Sequence, residues 1–270
     1  MAYVLGGGGV HGAAEVGMLQ ALIEADILPD LVVGTSIGAM NGAVIAAGPN
    51  EAPERLTTLW EGVAEDDTFS ESVVGRLRTL ARTRTHIHDD APLRRLVAKA
   101  LPVERFDQLA VPFQCVAAAI ESASSHWFSE GPLLDAIMAS AAVPGLLPPV
   151  RIGSSTYYDG GLVHSIPLGR ALLLGAEEIF VLQVGRIEAP LRPPESPWDV
   201  GLVAFEIARR HRFVEELETV PGDVTTHVLP SGDAIGFDDP RGFRYTNTSG
   251  TRERIERARE ATAAYLADRR

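Results

Sequence analysis

The chain opens with a short apolar run, residues 3–5, that breaks into four consecutive glycines, residues 6–9. Residues 13–25 then carry apolar side chains at Val16, Leu19, Leu22 and Ile23, the three-to-four spacing of a helix. A second strand-like run, residues 30–34, apolar after its opening Asp30, is followed by small and apolar residues that predict a helix over 37–47. Strand, turn and helix, repeated twice in quick succession, is the signature of a parallel β-sheet. In such a sheet the turns leave the carboxyl ends of the strands, where ligands bind. The glycine turn and the turn from Gly34 to Gly38 are therefore expected to be neighbours.

Residues 53–101 read as mostly helical with charged faces, interrupted by the polar stretch RTRTHIHDD at 82–90. This segment is expected to form a helical cap beside the sheet. The polar stretch is read as a solvated loop, with a mobile lid or a head-group contact as the alternative. An apolar strand over 112–120 follows, then a helix over 133–142, a proline-rich bend and a short strand leading to Asp159. A buried strand over 177–184 precedes a proline-rich loop and a long amphipathic helix over 199–219. The pattern closes with a strand in VTTHVLP and a helix over 251–270 with an apolar stripe at Ile255, Ala258 and Leu266. Neither a repeat nor a linker interrupts the 270 residues, so one domain is expected. Its class is α/β: three layers, α/β/α, with a mainly parallel central sheet and a helical cap inserted at about 53–101.

Composition narrows the function. Apolar residues make up 46%, enough for a large core, and the formal charge is −12. That balance leaves no basic surplus to neutralise phosphates and argues against nucleic acid as a partner. It argues equally against wholesale adsorption to anionic membranes, while transient apolar contact with a lipid interface stays open. The single cysteine, Cys115, sits in a strand-like apolar run and cannot form an intrachain disulfide, which fits a reducing compartment. The N-terminal residues show no signal-peptide pattern. A cytoplasmic protein is expected. Its clusters of His, Asp and Glu lack metal-ligand spacing, so no metal and no cofactor is implied, and the oligomeric state leaves no mark on the sequence.

Two turns carry the candidate chemistry. Gly7, Gly9 and Gly12 fit G-x-G-x-x-G, the pattern of a dinucleotide site, yet the same backbone could aim its N–H groups at the oxyanion of an ester under attack. Gly34-Thr35-Ser36-Ile37-Gly38 is G-x-S-x-G between an apolar strand and a helix, as a nucleophile elbow requires. A tight turn with Ser36 as a helix N-cap is the plainer alternative. A dinucleotide site places an acidic residue at the end of the second strand. Here that strand ends in the elbow itself, and Asp26 and Asp30 precede it. The oxyanion reading accounts for both turns together.

A serine nucleophile needs a base. Among the histidines His126, His164, His211 and His227, none stands in a catalytic setting, although His164 is close to the motif YYDGGLVHSIPL. Asp159 in that motif follows an aromatic strand and precedes two glycines that leave its carboxylate approachable; an ordinary Asp-Gly turn is the alternative.

In these blocks the chain resembles the patatin-like phospholipases, serine acyl hydrolases with a Ser–Asp dyad. The matching segments are GGGGVHG, GTSIG and ASAAVPGLLPPV…YYDGG, in that order. The resemblance implies Ser36 as nucleophile and Asp159 as general base. It implies an oxyanion hole from Gly7, Gly8, Gly9, Val10, His11 and Gly12, with Gly34 and Gly38 shaping the elbow. The implied substrate is an acyl lipid, of phospholipid or lysophospholipid type. An esterase, thioesterase or acyltransferase on another acyl group, or a silent acyl-binding module, are the alternatives. One departure stands out: the family carries Arg or Lys just before the last glycine of the first turn, where this chain has His11. A second is His164-Ser165, where the family often shows asparagine.

Overall fold

The computed structural model describes residues 1–65, 82–184, 187, 190–195, 197–232 and 250–269. The opening pattern is realised almost to the residue. Strand β1 (Ala2–Leu5) enters the glycine turn, whose second half is a 3₁₀ turn (Gly9–Gly12), and helix α1 (Ala13–Glu24) follows. Strand β2 (Leu31–Thr35) leads through Ser36 into helix α2 (Ile37–Ala47). Helices α3 (Ala52–Glu65) and α4 (Ala91–Ala100) are the described parts of the expected cap, whose residues 66–81 lie outside the described residues.

The remaining elements are β3 (Phe113–Ala119), β4 (Ser124–Phe128), α5 (Leu133–Ser140), β5 (Val150–Ile152), β6 (Ser155–Asp159), α6 (Leu168–Leu173), β7 (Glu178–Leu182), α7 (Pro197–Glu218), β8 (Thr225–Val228) and α8 (Thr251–Ala267). The sheet runs β5-β6-β3-β2-β1-β7-β8, with β4 also paired to β3. Strands β3, β2, β1, β7 and β8 are mutually parallel, whereas β4, β5 and β6 join antiparallel. The architecture is α/β with a mixed, mostly parallel sheet.

Side chains alternate across this sheet, as the pleat demands. Tyr3, Leu5, Val32, Cys115, Phe180 and Leu182 pack beneath α1, α2, α5 and α8. Ala2, Val4, Val33, Ile179 and Val181 face Leu168 and Ala171 of α6 and Phe213 of α7. The central strands are apolar on both faces because helices cover both, which is why they read as continuous apolar runs. Cys115 is fully buried in the first of these cores, and burial pushes its thiol pKa up, leaving it an inert packing residue.

Strand β4 was not expected. Its sequence, SSHWF, is polar at three of five positions, and only Phe128 is buried. Among the described residues the strand pairs with β3 alone, so much of its surface stays outside the core, and the apolar run that signals a strand is missing.

Candidate active site

The sheet itself builds the site. Strand β4 pairs with β3 from Cys115 to Ala119, so β2, paired at Phe113 to Val116, and β6, paired at Ala117 to Ala119, must share the opposite edge. They meet end to end: Thr35 stands beside Val116 and Asp159 beside Ala117. Ser36, the residue after Thr35, is thus delivered to Asp159. At this junction Ser140 Oγ donates to the Val116 carbonyl (2.6 Å) and accepts from the Ser36 N–H (2.9 Å), while the Asp159 N–H donates to Ala142 O (2.9 Å). The chain passes so close here that a Cβ on Gly160 would lie 2.2 Å from the Val116 carbonyl oxygen.

Ser36 sits at φ 56°, ψ −122°, a conformation that costs a non-glycine residue on the order of 1–3 kcal/mol. Two glycines make the turn possible. A Cβ on Gly34 would fall 2.4 Å from Gly38 O, and one on Gly38 would fall 2.6 Å from Leu5 O. Ser36 occupies the N-cap position of α2, but its side chain makes no capping bond. Its hydroxyl instead donates to Asp159 Oδ2 at 2.6 Å. The other carboxylate oxygen, Oδ1, accepts the Gly161 N–H at 2.7 Å. Asp159 therefore makes the ordinary Asp-Gly turn and the serine contact together.

Asp159 is 2% exposed, and burial raises its pKa to about 6; the Ser36 and Gly161 hydrogen bonds and the charge of Arg209 pull the other way. At pH 7 it is still mostly ionised, yet a stronger base than a carboxylate in water.

The glycine turn lies against the elbow, as the parallel sheet requires. A Cβ on Gly7 would be 3.2 Å from Ser36 Cβ, and one on Gly8 would strike Val184. Gly9 takes the left-handed φ of 61°. Gly9 and Val10 border an apolar cavity of about 100 Å³ that also exposes Ser36. Trp60 and Val63 of α3, Leu93, Leu96 and Val97 of α4, and Ile137 of α5 supply much of its wall. His11 is 1% exposed, and a Cβ on Gly12 would meet Ile37 and Trp60. In the polar stretch 82–90, Arg82, Arg84, Thr85 and Asp89 are exposed, whereas the backbone at 87–88 is held against the bend at 145–146. Ile87 N–H donates to Gly145 O and His88 N–H to Leu146 O, and His88 lines the cavity.

The histidines are occupied elsewhere. His164 Nδ1 lies 3.1 Å from Glu216 Oε1, and its carbonyl accepts from Thr35 Oγ1 (2.7 Å). His227 stacks on Phe180, His126 packs against Phe128 and Tyr157, and the exposed His211 is 3.5 Å from Glu215.

Sequence reasoning missed three groups around the site. Ser140 braces the elbow as described. Glu15, Asn41 and Trp60 form a buried chain behind the glycine turn: Asn41 Nδ2 donates to Glu15 Oε2 (2.8 Å) and Gly12 O (3.0 Å), and Trp60 Nε1 donates to Asn41 Oδ1 (3.2 Å). Arg209 of α7 reaches the turn at the Gly7 carbonyl. A signal for it exists: Glu206 and Arg209 fall on the stripe marked by Val203 and Phe213, a charged pair on a face otherwise apolar.

A serine on a strained strand-to-helix turn, an abutting aspartate, a glycine turn and an apolar cavity thus meet on one mixed α/β sheet. The chain matches the patatin-like phospholipase family over residues 3–172 and belongs to it. It is 31% identical over 194 residues to lysophospholipase nte1 of Aspergillus terreus, covering 68% of this chain and 12% of that protein. It is 29% identical over 188 residues to patatin-like phospholipase domain-containing protein 7 of Rattus norvegicus, covering 68% of this chain and 14% of that one. The chain thus spans only a small part of the length of these relatives. VipD from Legionella pneumophila shares the fold, with a TM-score of 0.51 at 14% identity over 99% of this chain and 66% of that chain. Among the described residues no helix is long and apolar enough to cross a membrane.

Proposed function

We propose that the protein hydrolyses carboxylic esters of acyl lipids, of phospholipase A or lysophospholipase type, through an acyl-Ser36 intermediate with Asp159 as the base. The observation that carries this reading is the 2.6 Å contact from Ser36 Oγ to a buried Asp159, with Ser36 on the wall of an apolar cavity. Ser36 Oγ attacks the ester carbonyl carbon as its proton passes to Asp159 Oδ2. The tetrahedral oxyanion collapses, the ester C–O bond breaks, and the leaving alkoxide takes the proton from Asp159. A water then gives a proton to Asp159 and attacks the acyl carbon. Ser36 leaves with that proton, and a fatty acid is released.

Two features favour this course. Raising the Asp159 pKa toward 6 narrows its gap to the serine hydroxyl. The turn from Gly7 to Gly12 would stabilise the oxyanion with backbone N–H groups, each such donor being worth roughly 2.7–4 kcal/mol where measured. The apolar wall from α3, α4 and α5 suits an acyl chain, and the names of the relatives favour a lysophospholipid. The test is release of fatty acid from lysophosphatidylcholine and of p-nitrophenol from p-nitrophenyl butyrate. Turnover of both, abolished in Ser36→Ala, is expected; hydrolysis that survives Ser36→Ala refutes the assignment.

A further inference from the structure

Arg209 is separated from Gly7 by 202 residues, yet its guanidinium is committed to the glycine turn. Nη2 donates to the Gly7 carbonyl at 2.7 Å, Nη1 to Glu206 Oε1 at 2.9 Å, and Nε to Ser165 Oγ. Ser165 serves twice, because its own carbonyl accepts the Gly7 N–H at 2.8 Å. Gly7 is thus gripped on both sides, its N–H by Ser165 and its C=O by Arg209. Both Arg209 and Glu206 are buried, so this grip is shielded from water.

A peptide unit is planar and trans, so a carbonyl and the next residue's N–H point in opposite directions. Holding the Gly7 carbonyl on Arg209 therefore aims the Gly8 N–H away from the guanidinium. The glycines themselves do not impose this. Glycine backbones rotate with little steric penalty, and a freed Gly7–Gly8 peptide could turn its carbonyl, rather than its N–H, toward the reacting oxygen. We propose that Arg209 is the positioning residue of the glycine turn, clamping the Gly7 carbonyl so that the Gly8 N–H is presented to the oxyanion. A fixed cation from a distant helix thereby supports a turn whose own sequence offers only His11. Arg209 does not border the cavity and its three nitrogens are already bonded, so it acts through the turn and not on the substrate.

The inference rests on the reading of Ser36 and Asp159 as the reacting pair, and the experiment separates the two. The wild-type chain is first treated with a fluorophosphonate and its structure solved as the adduct. The Gly8 nitrogen is expected within about 2.7–3.1 Å of the phosphonyl oxygen, with the Gly7 carbonyl still on Arg209. Failure of Ser36 to react defeats the parent reading. An adduct on Ser36 whose phosphonyl oxygen is bound elsewhere, with the Gly8 N–H turned away, defeats only the clamp.

Kinetics give a second arm. Because Arg209→Met alone would strand the buried Glu206 charge, it is paired with Glu206→Gln. For the double variant on p-nitrophenyl butyrate, kcat should fall about 100-fold with KM within about threefold, the effect of losing one oxyanion donor. Its acid limb should also move to higher pH, since Arg209 no longer opposes the burial of Asp159 beside the Ser36 hydroxyl and Gly161 N–H. Arg209→Lys, which keeps a charged donor for Gly7, should recover at least about tenfold of the lost kcat. Wild-type kcat and an unmoved acid limb in the folded double variant would overturn the clamp; a merely structural arginine would lower the melting temperature alone.

Discussion

Two carboxyl groups are buried close to the glycine turn, and their fates differ. Asp159 and Glu15 are both almost sealed from solvent, and burial raises the pKa of each. Around Asp159 the Ser36 hydroxyl, the Gly161 N–H and the Arg209 charge restrain that rise to about 6. Around Glu15, among the described residues, the Asn41 amide and the Gly6 backbone oppose burial with no cation beside them, and its pKa lies well above the usual range. Desolvation is common to both; the neighbours decide the chemistry. Asp159 is left ionisable near neutral pH and faces a serine, whereas Glu15 favours its neutral form and ties α1 to α2 and α3 through Asn41 and Trp60.

The largest expected effect breaks the two apart. Asp159→Asn should lower kcat on p-nitrophenyl butyrate by about 10³-fold, within the range for loss of a general base. Glu15→Gln should leave it within about twofold. An equal loss in both would mean that the two carboxyls share one role.

Stability should move in the opposite sense. A pKa raised from 3.8 to about 6 favours the fold when Asp159 is protonated, fully below its unfolded value, and this contribution is lost as pH rises through 6. At pH 8 the ionised carboxylate therefore costs roughly 3 kcal/mol relative to acid conditions, at about 1.36 kcal/mol per pKa unit. Asp159→Asn should accordingly melt above wild type at pH 8, with the gap closing toward pH 4. Calorimetry at the two pH values checks this; a variant that melts lower at pH 8 contradicts it.

Ser140→Ala should cost about 1–3 kcal/mol in urea unfolding, because it leaves the buried Ser36 N–H and Val116 carbonyl without their partner. Smallest of all, Glu15→Gln should change stability by less than about 1 kcal/mol at pH 7, since an amide oxygen can still accept from Asn41 and burial works against the carboxylate it replaces.

The same contrast explains what could be read in the sequence. Both βα units and the elbow were legible, because buried parallel strands are uniformly apolar and the turns between them need glycine where backbones touch. Ser36 and Asp159 were legible only as candidates. Each also fits a plain turn, and the register that seats β2 and β6 end to end on β3 has no local signal. Strand β4 was hidden because its exposed surface makes it polar. Arg209, Glu206 and Glu15 were hidden for the opposite reason: charged residues are ordinarily exposed, and these are buried only because distant partners receive them.

The most direct test is the pH dependence of fluorophosphonate labelling, with the adduct located by peptide mapping. The account predicts a single adduct on Ser36, a labelling rate that rises with pH through about 6 as Asp159 ionises, and loss of that labelling in Asp159→Asn. An adduct elsewhere, or a Ser36 rate that ignores both pH and Asp159→Asn, would contradict it.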